Sequence, residues 1–234
     1  MVSPLLSVRA TVRITDKIFW LAYDNAYDMC MTWLRVAEFR ESSSHQAHRK
    51  PFKILDYMHW YAAVHGEGSF SYPADWAGFN IAKEGLHELY VELGAQIVDW
   101  NIYDTAALST YLHLCNTAGP LWCLCCTMYN DYETLRHELA HALWATDPEY
   151  RELQEAVIKS AQPELIAELE GRLHRMGYGP EVYADEIQAH VAADRGQQDI
   201  TDGLPRMPLK HLRLALRKNL DAPLKELLKR VPRL

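Results

Sequence analysis

The chain has 234 residues, 49% of them hydrophobic and 24% charged, and carries a net charge of −7. That is an ordinary globular composition, long enough to bury a core of its own. No apolar run approaches the roughly 18 residues that span a bilayer. The N-terminal "MVSPLLSVRATVRITDK" has no long apolar core behind a basic start, so neither a membrane protein nor a secretory leader is expected.

In chain order, Leu5–Ile14 is rich in β-branched residues and predicts a strand. Ala26–Ser42 spaces Met29, Trp33, Val36 and Ala37 helically and stops at a run of serines. Lys50–Gly66 predicts a helix closed by glycine, followed by the turn-rich "GEGSFSYPADWAGFN". The aromatic density of that stretch fits a packed loop better than the lining of a substrate cleft. Lys83–Ile97 predicts another helix. Gly119–Asp131 is a short apolar run between turn residues, the pattern of a buried or half-buried strand.

Within that strand, "WCLCC" does not read as a thiolate metal site. Adjacent strand residues point to opposite faces, so Cys125 and Cys126 cannot both face one ion, and no second cysteine pair follows at zinc-ribbon spacing. The odd number of cysteines makes a poor disulfide framework and suits a reducing cytoplasm. Helices dominate the remainder: Glu133–Thr146, broken by Asp147-Pro148, then Glu149–Ser160, Pro163–Met176 and Glu181–Arg195. The expected fold class is α+β, with residues 1–202 as a single domain.

Charge is unevenly spread. From Gly203 to Leu234 nine Lys/Arg stand against two Asp/Glu, which leaves an acidic body and a basic tail. The tail spaces its leucines helically, so residues 203–234 predict an amphipathic helix packed on the body, with its lysines in water. An electrostatic contact with nucleic acid or an acidic partner is the other reading, and the tail lacks interleaved aromatics for base stacking.

The stretch that carries chemistry is "ETLRHELAHALWATDPEY", Glu133–Tyr150. Residues four apart on a helix share a face, so His137 and His141 can aim both imidazoles at one ion, with Glu138 beside them as a general base. An amphipathic helix with two incidental histidines is the plain alternative. A catalytic zinc site needs a third protein ligand. Asp147 has the offset of the metzincin third ligand, but Trp144 stands where that class turns on a glycine. "VYADEIQAHVAAD", Val182–Asp194, is the better source, because Glu186 and His190 again share one helical face.

Asp185-Glu186-Ile187-Gln188-Ala189-His190 resembles the second motif of gluzincins, (N/D)E-x-x-(S/A)-D, with His190 where an acid is usual. Over about Glu133–Val191 the chain is similar to a group of small bacterial HExxH proteins whose second motif reads roughly DEIQAY. The order of strand and helix around Tyr129–His137 resembles zincin metallopeptidases, where an edge strand runs beside the active-site helix. The resemblance implies a zincin-like catalytic part over about residues 119–195 and zinc held by His137, His141 and Glu186. His190 is then a partner of a ligand or of the substrate, and a three-histidine site supported by Glu186 is the rival arrangement. Tyr178, Tyr183 and His174 lie near the second motif as candidates to polarise a substrate carbonyl.

These features predict a zinc-dependent metallohydrolase, a peptidase by resemblance, acting on peptide or protein with no membrane or nucleic-acid partner. The alternatives are a SprT-like protease acting on DNA-associated proteins, suggested by HExxH with a basic tail, and a non-catalytic metal-binding or regulatory protein.

Overall fold

The protein is described by a computed structural model that covers residues 6–42, 44–193 and 200–230. It forms two compact units, Met1–Asn130 and Asp131–Leu234. The fold class is α+β, with one small sheet and a majority of helix.

The first unit holds a sheet of β1 (Val8–Arg13), β2 (Ile18–Tyr23), β3 (Gly78–Ala82) and β4 (Cys123–Met128), in the order β1-β2-β4-β3. β1 and β2 form an antiparallel hairpin, β2 and β4 run parallel, and β3 is antiparallel to β4. β2 is buried at every position and β4 at all but its last, which is why both read as continuous apolar runs without alternation. The expected edge strand is therefore corrected: β4 is an inner strand, paired on both sides. Cys123, Cys125 and Cys126 are buried in it, and Leu124 and Cys126 join Phe19, Leu21 and Tyr23 in the apolar core.

Among the described residues this unit also holds the α-helices α1 (Ala26–Glu41), α2 (Ile54–Val64), α3 (Tyr72–Asp75), α4 (Lys83–Leu86) and α5 (Ile102–Thr117). α1 starts where the Asn25 side chain accepts from the Asp28 amide, and α5 starts with a reciprocal capping box between Asn101 and Asp104. α2 begins at Ile54 and not at Lys50, since Pro51 precedes it and Lys53 is its N-cap. The expected helix Lys83–Ile97 is α4, a π-helical turn His87–Glu92 and a 3-10 turn Gly94–Gln96. The supposed loop "SFSYPADWAGFN" contains α3 and the start of β3. Leu5, the first residue of the expected N-terminal strand, lies outside the described residues.

A buried ion pair ties this unit together. Arg35, 1% exposed, donates to Asp104 at 2.8 Å and to Asp99 at 3.1 Å, and Tyr90 donates to Asp104 at 3.1 Å. A buried guanidinium must be matched this fully, because an unpaired charge in the interior is expensive.

The second unit is helical: α6 (Tyr132–Thr146), α7 (Pro148–Ser160), α8 (Pro163–Arg175), α9 (Tyr183–Ala193) and α10 (Arg206–Arg230). α9 packs along α6, and α10 packs on α9 and α7. Leu209, Leu212, Leu216, Leu220 and Leu224 form the buried stripe of α10, at the spacing of one helical face. Two of its basic residues act structurally. Arg213 donates to the Val191 carbonyl at 3.2 Å, and Arg217 donates to the Ala192 carbonyl at 2.8 Å, closing the last turn of α9. Among the described residues no helix is long and apolar enough to cross a membrane.

Candidate metal centre

All the residues of this site lie in the second unit. α6 is helical because its N-cap, Asp131, accepts from the Thr134 amide at 3.0 Å and because Leu135, Leu139, Ala142 and Leu143 bury one stripe. The helix runs unbroken through Trp144, without the glycine turn of a metzincin. It stops at Asp147, whose Oδ1 accepts from the amides of Glu149 (3.1 Å) and Tyr150 (3.2 Å) and so starts α7. Asp147 thus serves as a cap, with Pro148 at the first helical position.

α9 carries the second motif. Ile187, Ala189, Val191 and Ala192 are fully buried, which leaves Glu186 and His190 on a half-buried face. The two helices bring His137, His141 and Glu186 together: one ligand atom from each lies within 4.8 Å of the others. Nε2 of His137 and Nε2 of His141 are 3.2 Å apart, and Nε2 of His141 is 3.9 Å from Oε2 of Glu186. Bonds of the usual length to a tetrahedral zinc put donor atoms about 3.4 Å apart. The donor set, two imidazoles and a carboxylate, is therefore one that could hold a metal ion such as zinc.

His190 stands beside this group and outside it. Its Nε2 is 3.5 Å from Oε2 of Glu186, and its ring lies edge-to-face on His137 with centroids 4.7 Å apart. Among the described residues, the group whose ligand atoms lie within 4.8 Å of one another is His137, His141 and Glu186.

The local field is negative. Burial alone pulls the His141 pKa down, but Asp185, Glu186 and Glu138 outweigh it and raise the imidazole to about 10. Burial pushes Glu186 above the usual carboxylate range, against the opposing pull of His141 and His190. Glu138 is buried next to His137 and is one of the carboxylates acting on His141.

Of the residues considered for polarising a carbonyl, Tyr183 opens α9, half-buried and one turn before Glu186. Tyr178 is half-buried in the loop after α8, and His174 is exposed in the last turn of α8.

Asp185 is a site residue that its local sequence does not single out. Nδ1 of His141 lies 2.9 Å from Oδ1 of Asp185, so the carboxylate next to the proposed ligand grips the other ligand's ring. The signal available was the pair Asp185-Glu186 itself: consecutive helix positions face different ways, and only one of them can reach the metal. No protein-family model, curated protein or solved structure matches the chain.

Proposed function

We propose that the chain is a zinc-dependent hydrolase built on a zincin-like arrangement, with peptide as its substrate class. The observation that carries the reading is the convergence of His137, His141 and Glu186 from two helices at spacings that suit one tetrahedral ion. When bound, zinc supplies Lewis acidity, bringing the pKa of water near neutrality and polarising a carbonyl. Nε2 of each histidine and a carboxylate oxygen of Glu186 would hold the ion. Glu138, buried next to His137 on α6 and near enough to act on His141, would accept the proton of the attacking water and deliver it to the leaving amine. The apolar residues buried along α6 keep both histidines rigid. His190 restrains Glu186 through the 3.5 Å contact.

Supporting the enzymatic reading over a purely structural site is the number of donors among the described residues. Structural zinc sites are closed by four protein ligands, whereas three donors converge among the described residues. Two of the α10 arginines are engaged with carbonyls of α9, which removes part of the basic face that a nucleic-acid contact needs. The test pairs zinc content, measured by elemental analysis, with cleavage of a quenched fluorescent peptide library. About one zinc per chain and cleavage lost in Glu138→Gln is the expected result. Stoichiometric zinc without any cleavage would leave a metal-binding protein and end the enzymatic reading.

A further inference from the structure

A chain of hydrogen bonds leaves the triad and runs through the second unit to α10. Oδ1 of Asp185 lies 2.9 Å from Nδ1 of His141 and also accepts from Nε2 of Gln188 at 2.9 Å. Tyr150 donates to Oε1 of Gln188 at 2.8 Å and accepts from Nε2 of Gln154 at 2.8 Å. Gln154 donates as well to the Leu216 carbonyl at 3.2 Å, and its Oε1 accepts from Asn219 at 3.2 Å. Gln154 and Gln188 are 0% exposed and Tyr150 is 5% exposed.

We propose that Asp185 aims His141 at the metal and that Gln188, Tyr150 and Gln154 hold Asp185 in place, so that metal affinity is set partly from α7 and α10. The proposal takes its purpose from the metal reading of the triad; the relay itself stands on geometry.

The direction of every bond follows from one end. A carboxylate only accepts, so Gln188 turns its amide NH2 to Asp185 and its oxygen to Tyr150. Tyr150 must then give its proton to that oxygen and can only accept from Gln154. Gln154 therefore spends its NH2 on Tyr150 and Leu216 and shows its oxygen to Asn219. Flipping any one amide sets donor against donor in a place water does not reach, which is costly.

At the other end, the carboxylate fixes the proton of His141 on Nδ1. Nε2, the atom facing His137 and Glu186, then keeps its lone pair for the ion. A metal-bound imidazole anchored this way is better oriented and more basic. Gln188, Tyr150 and Gln154 touch neither metal nor substrate, so they are positioning residues.

The test uses the full chain with Asp185→Ala, Asp185→Asn, Tyr150→Phe and Gln188→Met. Leu169→Ala serves as a control that loosens a buried leucine of α8, outside the relay. Zinc affinity is measured by competition with a chromophoric chelator. The His141 Nδ1–H signal is followed by 15N–1H NMR with and without zinc.

Asp185→Ala should weaken zinc binding about 10–100-fold, and Asp185→Asn less, because it keeps the acceptor without the charge. Tyr150→Phe and Gln188→Met should each weaken binding and shift the His141 Nδ1–H signal. Leu169→Ala should lower the melting temperature and change neither readout. Wild-type affinity with an unmoved signal in both Tyr150→Phe and Gln188→Met overturns the relay. If the wild-type chain binds no zinc, the metal reading fails on its own. The metal-free signal then still decides the relay, which stands if Tyr150→Phe moves that signal and falls if it does not.

Discussion

Glu186 and His190 sit one turn apart on α9 and meet at 3.5 Å, Oε2 to Nε2, while the same oxygen lies 3.9 Å from Nε2 of His141. One carboxylate thus faces a proposed co-ligand on one side and a supporting imidazole on the other. Glu186→Ala should weaken zinc affinity by orders of magnitude, and His190→Ala by about 10–100-fold. Chelator competition on both variants checks the ranking. The reverse order would make His190 the ligand and Glu186 its support.

His137 and His141 supply the other two donors, 3.2 Å apart at Nε2. The purified chain should carry about one zinc, and His137→Ala or His141→Ala should remove it, since two donors hold zinc poorly. Elemental analysis after dialysis decides this. Full retention in both variants rules the triad out.

Glu138→Gln separates binding from chemistry. The amide keeps the size of the side chain and cannot take a proton, so zinc content and melting temperature should hold while turnover falls about 100-fold or more. Turnover at the wild-type rate would move the general base elsewhere.

Arg35 and Asp104 test the first unit. Asp104→Ala leaves a guanidinium that is 1% exposed without its closest carboxylate, which should cost about 3–5 kcal/mol in urea unfolding. A loss under about 1 kcal/mol would place the pair with exchangeable surface bridges.

α10 should act as a structural cover. Leu216→Ala, at a fully buried position of its stripe, should cost about 2–5 kcal/mol. Deleting residues 203–234 should lower the melting temperature further. Strong, salt-dependent DNA affinity that disappears with the deletion would instead restore the nucleic-acid reading.

How far the site was legible depends on which residues signal at short range. α6 and α9 were readable because each writes its face into a few consecutive residues: apolar stripes flanked by His137 and His141, or by Glu186 and His190. The partnership of His141 with Asp185 spans 44 positions and that of Tyr150 with Gln188 spans 38, and no local pattern marks either. Gln154 and Gln188 look like surface residues by type and are fully buried in fact, because each finds partners only after α7, α9 and α10 pack.

In the first unit, β2 is the same kind of short apolar run as β4, between Asp16-Lys17 and Asp24-Asn25, and was legible by the same rule. β3 was hidden among turn residues. α5 escaped because several of its buried positions are polar, Asp104 and Thr110 among them.

The pairing of β2 with β4 has a consequence for how the chain reaches this state. Trp20 and Thr127, hydrogen-bonded at 2.9 Å between these neighbouring strands, are 107 positions apart in sequence. During synthesis, "IFWLAY" leaves the ribosome long before its inner partner, and closing so large a loop is slow. At about 5–20 residues per second, the strand waits several seconds with one long edge unmatched. The first unit should therefore depend on chaperones during translation, and chains truncated before Cys123 should aggregate through Ile18–Tyr23.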